Sequence, residues 1–227
     1  MSLIELRDPF SSACHLATAL WALFATLLMV RVTPPEPGRR AAVVIYGASM
    51  VLLFLASGLF HGLHYETPEQ RRLFQRLDQS AVYLLIAGTN TPLMVILLSA
   101  NWRKWCLRMV WGSAVLGVAC LWLLPKPPHA LVVALYLGMG WIGLVPVWQY
   151  YWALGWRPLG WMGLGAACYT MGAVCELTQW PVIVPGWIHA HEVLHLFDSA
   201  GSVCFFVLIL RYVIPYRSPV DFLNSVA

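Results

Sequence analysis

Three histidines stand out among the few polar side chains of this chain that can do chemistry. His191 and His195 are four residues apart in the string HAHEVLHLFD, so on a helix both imidazoles lie on one face. His61 ends a separate apolar run, in SGLFHGLH. Three imidazoles leave one position of a tetrahedral zinc ion open, which is typical of catalytic zinc. The pattern predicts a Zn2+ site at His61, His191 and His195.

An aspartate and a serine belong with these histidines. Asp78 opens an apolar run in RLDQSAVYLLIAG, and Ser57 precedes His61 by four residues, one helical turn away on the same face. A carboxylate or hydroxyl in this layer can hold a water on the metal, or a ligand histidine, by hydrogen bonding. We therefore expect Asp78 and Ser57 to have catalytic roles.

Three further acids have more than one interpretation. Asp198 follows His195 by three residues and shares its face, and Glu176 lies near the end of an apolar run. Either acid can extend the zinc layer into a polar cavity or relay protons, or it can be a buried carboxyl hydrogen-bonded to a neighbouring helix. Glu192 completes the string HExxH, in which Glu is the general base of zinc proteases.

The protease interpretation of HExxH is the weaker one. In zinc proteases the motif helix lines an open cleft, and the third ligand usually lies downstream rather than in an earlier apolar run. Glu192 therefore remains a reserve candidate for a general base. The remaining histidines at the ends of apolar runs, His64, His129 and His189, are interpreted as interfacial side chains.

The elements that must position these residues are apolar runs. The 227-residue chain is 60% hydrophobic and only 11% charged, whereas an average soluble domain has about 25% charged residues. A hydrocarbon core of about 30 Å needs helices of roughly 20 residues. The composition predicts an all-α polytopic membrane protein, a single seven-transmembrane-helix domain over residues 1–227, with spans near 12–30, 41–64, 79–100, 109–125, 129–152, 158–175 and 191–210.

This topology brings distant residues into one layer. With seven spans, the second and sixth end on the N-terminal side of the membrane, and the third and seventh begin there. His61, Asp78, Glu176 and His191 are therefore expected at the same depth. Basic residues number five on that side and seven on the other, which favours a cytoplasmic C-terminus.

Other compositional features exclude some function classes. The net charge of +4 does not imply a nucleic-acid partner, because in a membrane protein the side on which the basic residues lie matters more than their sum. The six cysteines form no CxxC pair and are interpreted as small packing groups. The sequence gives no indication of oligomeric state.

The motifs resemble those of the progestin and adipoQ receptor family, specifically its bacterial hemolysin III branch, in a superfamily shared with alkaline ceramidases. The resemblance covers most of the chain and rests on SGLFH, LDQSAVYLLIAGTNTP, GLGAACYTMGAV and PGWIHAHEVLHLFDSAGS. It implies a seven-helix fold in a bacterial plasma membrane, with zinc held by His61, His191 and His195 and a water positioned with help from Asp78 and Ser57.

The resemblance leaves several functions open. Related proteins are hydrolases of lipid amides such as ceramide, or receptors, and the bacterial branch is named for membrane damage. A zinc-dependent hydrolase of membrane-lipid amides is one expectation; a receptor or membrane-homeostasis protein with structural zinc is the alternative. A pore ranks last, because the spans carry few polar residues to line one.

This chain departs from the bacterial pattern at three positions. The branch usually has His and Tyr where this chain has Gln79 and Asn90, and an apolar residue where Asp198 lies. These changes predict a distinctive cavity. Receptors of the family also place the N-terminus and zinc layer in the cytosol, opposite to the orientation that the charge count favours, so orientation stays open.

Overall fold

The computed structural model describes residues 6–217, which form eight α-helices. Within this range the only β-structure is one isolated bridge, between Val184 and Ile188 in the connection that precedes the last helix. A short π-helix continues that last helix. The helices are α1 (Pro9–Val32), α2 (Pro37–Gly62), α3 (Pro68–Leu97), α4 (Ala100–Leu123), α5 (His129–Ile142), α6 (Val147–Leu154), α7 (Trp156–Thr178) and α8 (Ala190–Leu208).

Five segments in the described range are long and apolar enough to cross a membrane: helices α1 to α4, and Ala190–Val213, which combines α8 with the π-helix. The pair α5 and α6 makes a sixth if it counts as one bent span. Helix α7 is 23 residues long but less apolar. The chain is therefore a multi-pass helical membrane protein, as predicted, whereas the count of seven spans is not confirmed.

Proline and polar residues begin the first three helices. Pro9, Pro37 and Pro68 each occupy the first helical position, where the missing N–H costs nothing and the restricted φ suits the helix. Before α3, the Thr67 hydroxyl also accepts a hydrogen bond from the Gln70 N–H at 3.2 Å. The polar connections in the sequence therefore separate α1, α2 and α3 as expected.

The predicted fifth span is broken. Residues 129–152 form α5 and α6, whose axes differ by 43°, with turns between Ile142 and Val147. Pro146 cannot donate a backbone hydrogen bond, so the helical ladder stops there. Gly143, at the break, lies so close to α3 that a Cβ would overlap the amide of Asn90. Helix α3 therefore packs directly against the break.

Helices α7 and α8 pack closely because small residues line their contact. Such residues let helix backbones approach in a membrane, where van der Waals packing drives association. The C-terminal end of α7 consequently lies beside the N-terminal end of α8, which carries two of the predicted ligands. The glycines of this contact are Gly165, Gly172 and Gly201.

Candidate metal centre

The three predicted histidines meet at one end of the bundle. His61 lies in the last turn of α2, and His191 and His195 in the first two turns of α8. The Nε2 atoms of His61 and His191 are 3.3 Å apart, and those of His191 and His195 are 3.2 Å apart. Two ligands of a tetrahedral zinc ion with Zn–N bonds of about 2.0–2.1 Å lie about 3.3–3.4 Å apart. The spacing of the nitrogens fits zinc.

Carboxylates orient two of these imidazoles. The Nδ1 of His61 lies 3.1 Å from Asp8 Oδ2, and the Nδ1 of His191 lies 3.1 Å from Glu176 Oε2. A neutral imidazole that donates from Nδ1 keeps its lone pair on Nε2. Both lone pairs then point at the shared centre, which is the arrangement that metal-ligating histidines adopt. A cation at this point would remove the repulsion between them.

Asp8 is held in place by the segment that precedes α1. Its backbone N–H donates to the His61 carbonyl at 2.9 Å, and its carboxylate pairs with the Arg7 guanidinium at 2.9 Å. The guanidinium lies over the Phe60 ring, 4.8 Å from its centroid. Burial raises the pKa of the Asp8 carboxyl, but the hydrogen bonds from His61 and Arg7 outweigh it and bring that pKa below its ordinary value. Asp8 is therefore an ionised acceptor for His61.

The predicted catalytic residues lie beside the histidines. Ser57 is buried one turn before His61, and its side chain neighbours the Asp78 carboxylate. Both residues line a cavity that His191 and His195 also line. The structure thus brings all five predicted site residues to one end of the bundle, with Asp78 and Ser57 facing the space next to the three imidazoles.

The Glu192 carboxylate hydrogen-bonds to groups other than the three histidines. One carboxylate oxygen accepts the His189 backbone N–H at 2.9 Å and so caps α8. The other oxygen accepts a hydrogen bond from the Ser11 hydroxyl at 3.2 Å, which links α8 to α1. A general base of a zinc protease points at the metal, so this geometry weighs against the HExxH interpretation.

Two neighbours of the centre, His15 and Asp8, were absent from the sequence-based set. His15 is fully buried on α1, with its ring centroid 4.0 Å from that of His195. It is an ionisable residue inside an apolar run, the same signal that identified Asp78. Asp8 lies outside the runs, so no sequence signal marks it.

His129, interpreted as interfacial, also belongs near the centre. Its Nε2 lies 3.3 Å from Glu176 Oε1. The Glu176 carboxylate therefore lies between His129 and His191.

The cavity beside the histidines has a volume of about 340 Å³. Its lining on α3 runs from Gln75 to Leu93, a distance of about 27 Å along the helix axis. Most of the lining is apolar, and no Lys or Arg occurs among the described residues that form it. Acidic side chains at the histidine end are Asp78, Glu176 and Asp198, and the opposite end reaches Asn90 and Gly143.

Comparison with known proteins identifies the family of the chain. A family model described as "Haemolysin-III related" matches residues 5–206. The chain belongs to the haemolysin III family. The match includes all three histidines of the candidate site and every helix up to most of α8, and it confirms the family resemblance of the sequence motifs.

Individual relatives of this haemolysin III protein are similar to it over most of its length. It is 32% identical over 195 residues to Hemolysin-3 of Bacillus cereus, covering 85% of each chain. It is 31% identical over 170 residues to the Hemolysin-3 homolog of Bacillus subtilis, covering 75% of this chain and 76% of the relative. A more distant relative is the adiponectin receptor protein of Drosophila melanogaster, 26% identical over 181 residues, or 70% of this chain and 40% of the receptor.

Proposed function

We propose that this haemolysin III protein is a zinc-dependent hydrolase of amide bonds in membrane lipids, built on seven spans if α5 with α6 and α7 each cross a bacterial plasma membrane. The observation that carries the proposal is the position of His191 Nε2, 3.3 Å from His61 Nε2 and 3.2 Å from His195 Nε2, beside a mostly apolar cavity. A structural zinc site usually has four protein ligands. A site with three protein ligands beside a cavity leaves a coordination position open, so it is more typical of catalytic than of structural zinc.

In this proposal, different residues of the chain have different roles at the centre. His61, His191 and His195 would hold the ion, while Asp8 and Glu176 keep the first two imidazoles in the orientation that ligation requires. Bound zinc would supply a Lewis acid that lowers the pKa of a water and polarises a carbonyl.

Asp78 is the proposed proton carrier. Its carboxylate takes the proton of the attacking water and then delivers it to the nitrogen of the leaving amine, as a general base and then a general acid. The Ser57 hydroxyl, which neighbours this carboxylate, donates a hydrogen bond that keeps it in place. The Asp78 side chain lines the cavity, where a substrate amide beside the histidines can reach it.

The cavity supports a lipid substrate. Its apolar walls would receive an acyl chain, while the polar end would receive the amide. The absence of Lys and Arg from the described lining disfavours a substrate with a phosphate or carboxylate buried at that end. A lipid amide with an uncharged or cationic head group, such as a ceramide, fits this distribution of charge.

A receptor or membrane-homeostasis role with structural zinc is the second candidate. The similarity to the Drosophila adiponectin receptor protein favours it, as does the deep burial of His61 and His195. A lytic or pore function, suggested by the names of the Bacillus relatives, ranks last, because the lining of the cavity is mostly apolar and a pore needs a continuous polar path.

The test uses purified protein in lipid nanodiscs and measures fatty-acid release from ceramides and other lipid amides, with zinc content measured in parallel. We expect H191A to abolish turnover, and D78N to reduce it about 100- to 10,000-fold, the usual range for loss of a general acid–base. H64A removes an exposed histidine from a connection and should be fully active. No turnover across a broad lipid panel, with zinc bound, would favour the receptor role.

A further inference from the structure

A second group of potential metal ligands lies one helical turn deeper than the first. It consists of His15 on α1 with His195 and Asp198 on α8, and their donor atoms all lie within 4.8 Å of one another. Only His195 belongs to both groups. His15 and His195 are almost fully buried, and all three side chains line the cavity.

Three of the four imidazole nitrogens in this group have no hydrogen-bond partner among the described residues. Within residues 6–217, neither ring nitrogen of His15 makes a hydrogen bond, and neither does Nδ1 of His195. Leaving a buried donor or acceptor unsatisfied costs about 1–3 kcal/mol. His61 and His191, by contrast, each have a carboxylate at Nδ1. His15 and His195 thus each have a buried ring nitrogen without a partner beside the cavity, which indicates a ligand there.

The donor set indicates what that ligand is. Two imidazoles and one carboxylate form the combination that binds divalent transition metals while leaving positions open. The described cavity lining carries the carboxylates of Asp78, Glu176 and Asp198 and no Lys or Arg. A cation here would be attracted by these acidic side chains, and no Lys or Arg of the described lining competes for them.

We propose that His15, His195 and Asp198 bind a second divalent cation, so that the imidazole of His195 bridges two ions. Its Nε2 ligates the ion of the three-histidine site, and its Nδ1 ligates the second ion, with the ring proton released to solvent through the cavity. The bridge rests on the proposed three-histidine site. Because the ions repel each other and share a ligand, the second ion binds more weakly and requires free zinc in excess.

Zinc stoichiometry tests the proposal without any substrate. Protein in nanodiscs is stripped with a chelator, reloaded with zinc, and analysed for metal per chain after dialysis and again at saturating free zinc. The wild type should retain one ion after dialysis and bind two at saturation. At saturation, D198N and H15F should each bind one ion, H61A one, and H195A none, because only His195 serves both sites.

The controls separate loss of a ligand from loss of the fold. D198N preserves side-chain volume, and its metal-free thermal unfolding should match that of the metal-free wild type. H15F introduces a somewhat larger ring at a buried position, so its metal-free unfolding is measured in the same way. H64A removes an exposed histidine and should still bind two ions.

Two outcomes would overturn the proposal: one ion per chain in the wild type at saturation, or two ions retained by both D198N and H15F. Failure of the three-histidine site gives a different result, in which H61A still keeps the tight ion after dialysis.

Discussion

Each end of α2 carries a buried ionisable side chain, and the two side chains have different kinds of interaction partners. Arg39 and His61 are 22 residues apart, about 33 Å along the helix axis. The Arg39 guanidinium donates to the Tyr216 carbonyl at 2.5 Å and pairs with Glu36 Oε2 at 2.6 Å. At the other end, His61 donates to Asp8 through Nδ1, and its Nε2 lies 3.3 Å from Nε2 of His191.

The difference separates a structural charge from a binding site. Donors of Arg39 meet acceptors of the chain itself, so the interaction is complete within the protein. The Nε2 atoms of His61 and His195 instead lie 3.3 and 3.2 Å from Nε2 of His191, an arrangement that suits a cation between the rings. Burial is common to both ends, so burial alone does not identify function. The histidine end is distinguished as a binding site because its neighbouring nitrogen atoms do not satisfy one another.

The largest effect is expected from a substitution at the histidine end of α2. H61A should lose the zinc ion that survives dialysis, because two ligands remain of three. Where free zinc is about 1,000 times the dissociation constant, the lost binding energy lowers the free energy of unfolding by about 4 kcal/mol. Zinc analysis and thermal unfolding in nanodiscs measure both effects, with chelator-stripped wild type as the control. Zinc content equal to that of the wild type would refute the ligand assignment.

A substitution at the Arg39 end of α2 should change stability and leave zinc content unchanged. R39A removes charge-assisted hydrogen bonds to the Tyr216 carbonyl and to the half-exposed Glu36, and a hydrogen bond of this type contributes about 1.5–3 kcal/mol. We expect a loss of that size in the free energy of unfolding, with unchanged zinc per chain. If R39A also loses zinc, the two ends are coupled and the comparison fails.

An intermediate effect concerns the carboxylate behind His61. D8N removes the charge that holds the Nδ1 proton, and loss of such a partner typically lowers metal affinity about 10- to 100-fold. Zinc titration against a competing chelator measures the change. E36Q, which neutralises the carboxylate beside Arg39, is the matched control and should leave zinc affinity unchanged.

The smallest effect is expected at the edge of the centre. His129 is about half exposed and contacts Glu176, so its pairing is screened by solvent. H129A should change the free energy of zinc binding by less than about 0.5 kcal/mol. A larger loss in the same titration would place His129 among the residues that hold the ion.

Much of the centre follows from local periodicity. His191 and His195 share a face because the backbone hydrogen bonds of an α-helix repeat every 3.6 residues. Alternation of spans across the membrane brings His61, Asp78 and Glu176 to the same depth. These relations depend on chain order and helix geometry alone, so the sequence was sufficient to predict them, together with the helical membrane fold and the family.

Other features depend on how the helices rotate and pack against each other. The partners of Glu176 and Glu192 were open in the sequence; packing brought the first to His191 and the second to Ser11 of α1. Asp8 and His15 reach the centre only because α1 packs against α2 and α8, and the break after α5 lies against α3. Such contacts join residues far apart in the chain, and their geometry is decided by the fit of all the helices together, which no local pattern encodes.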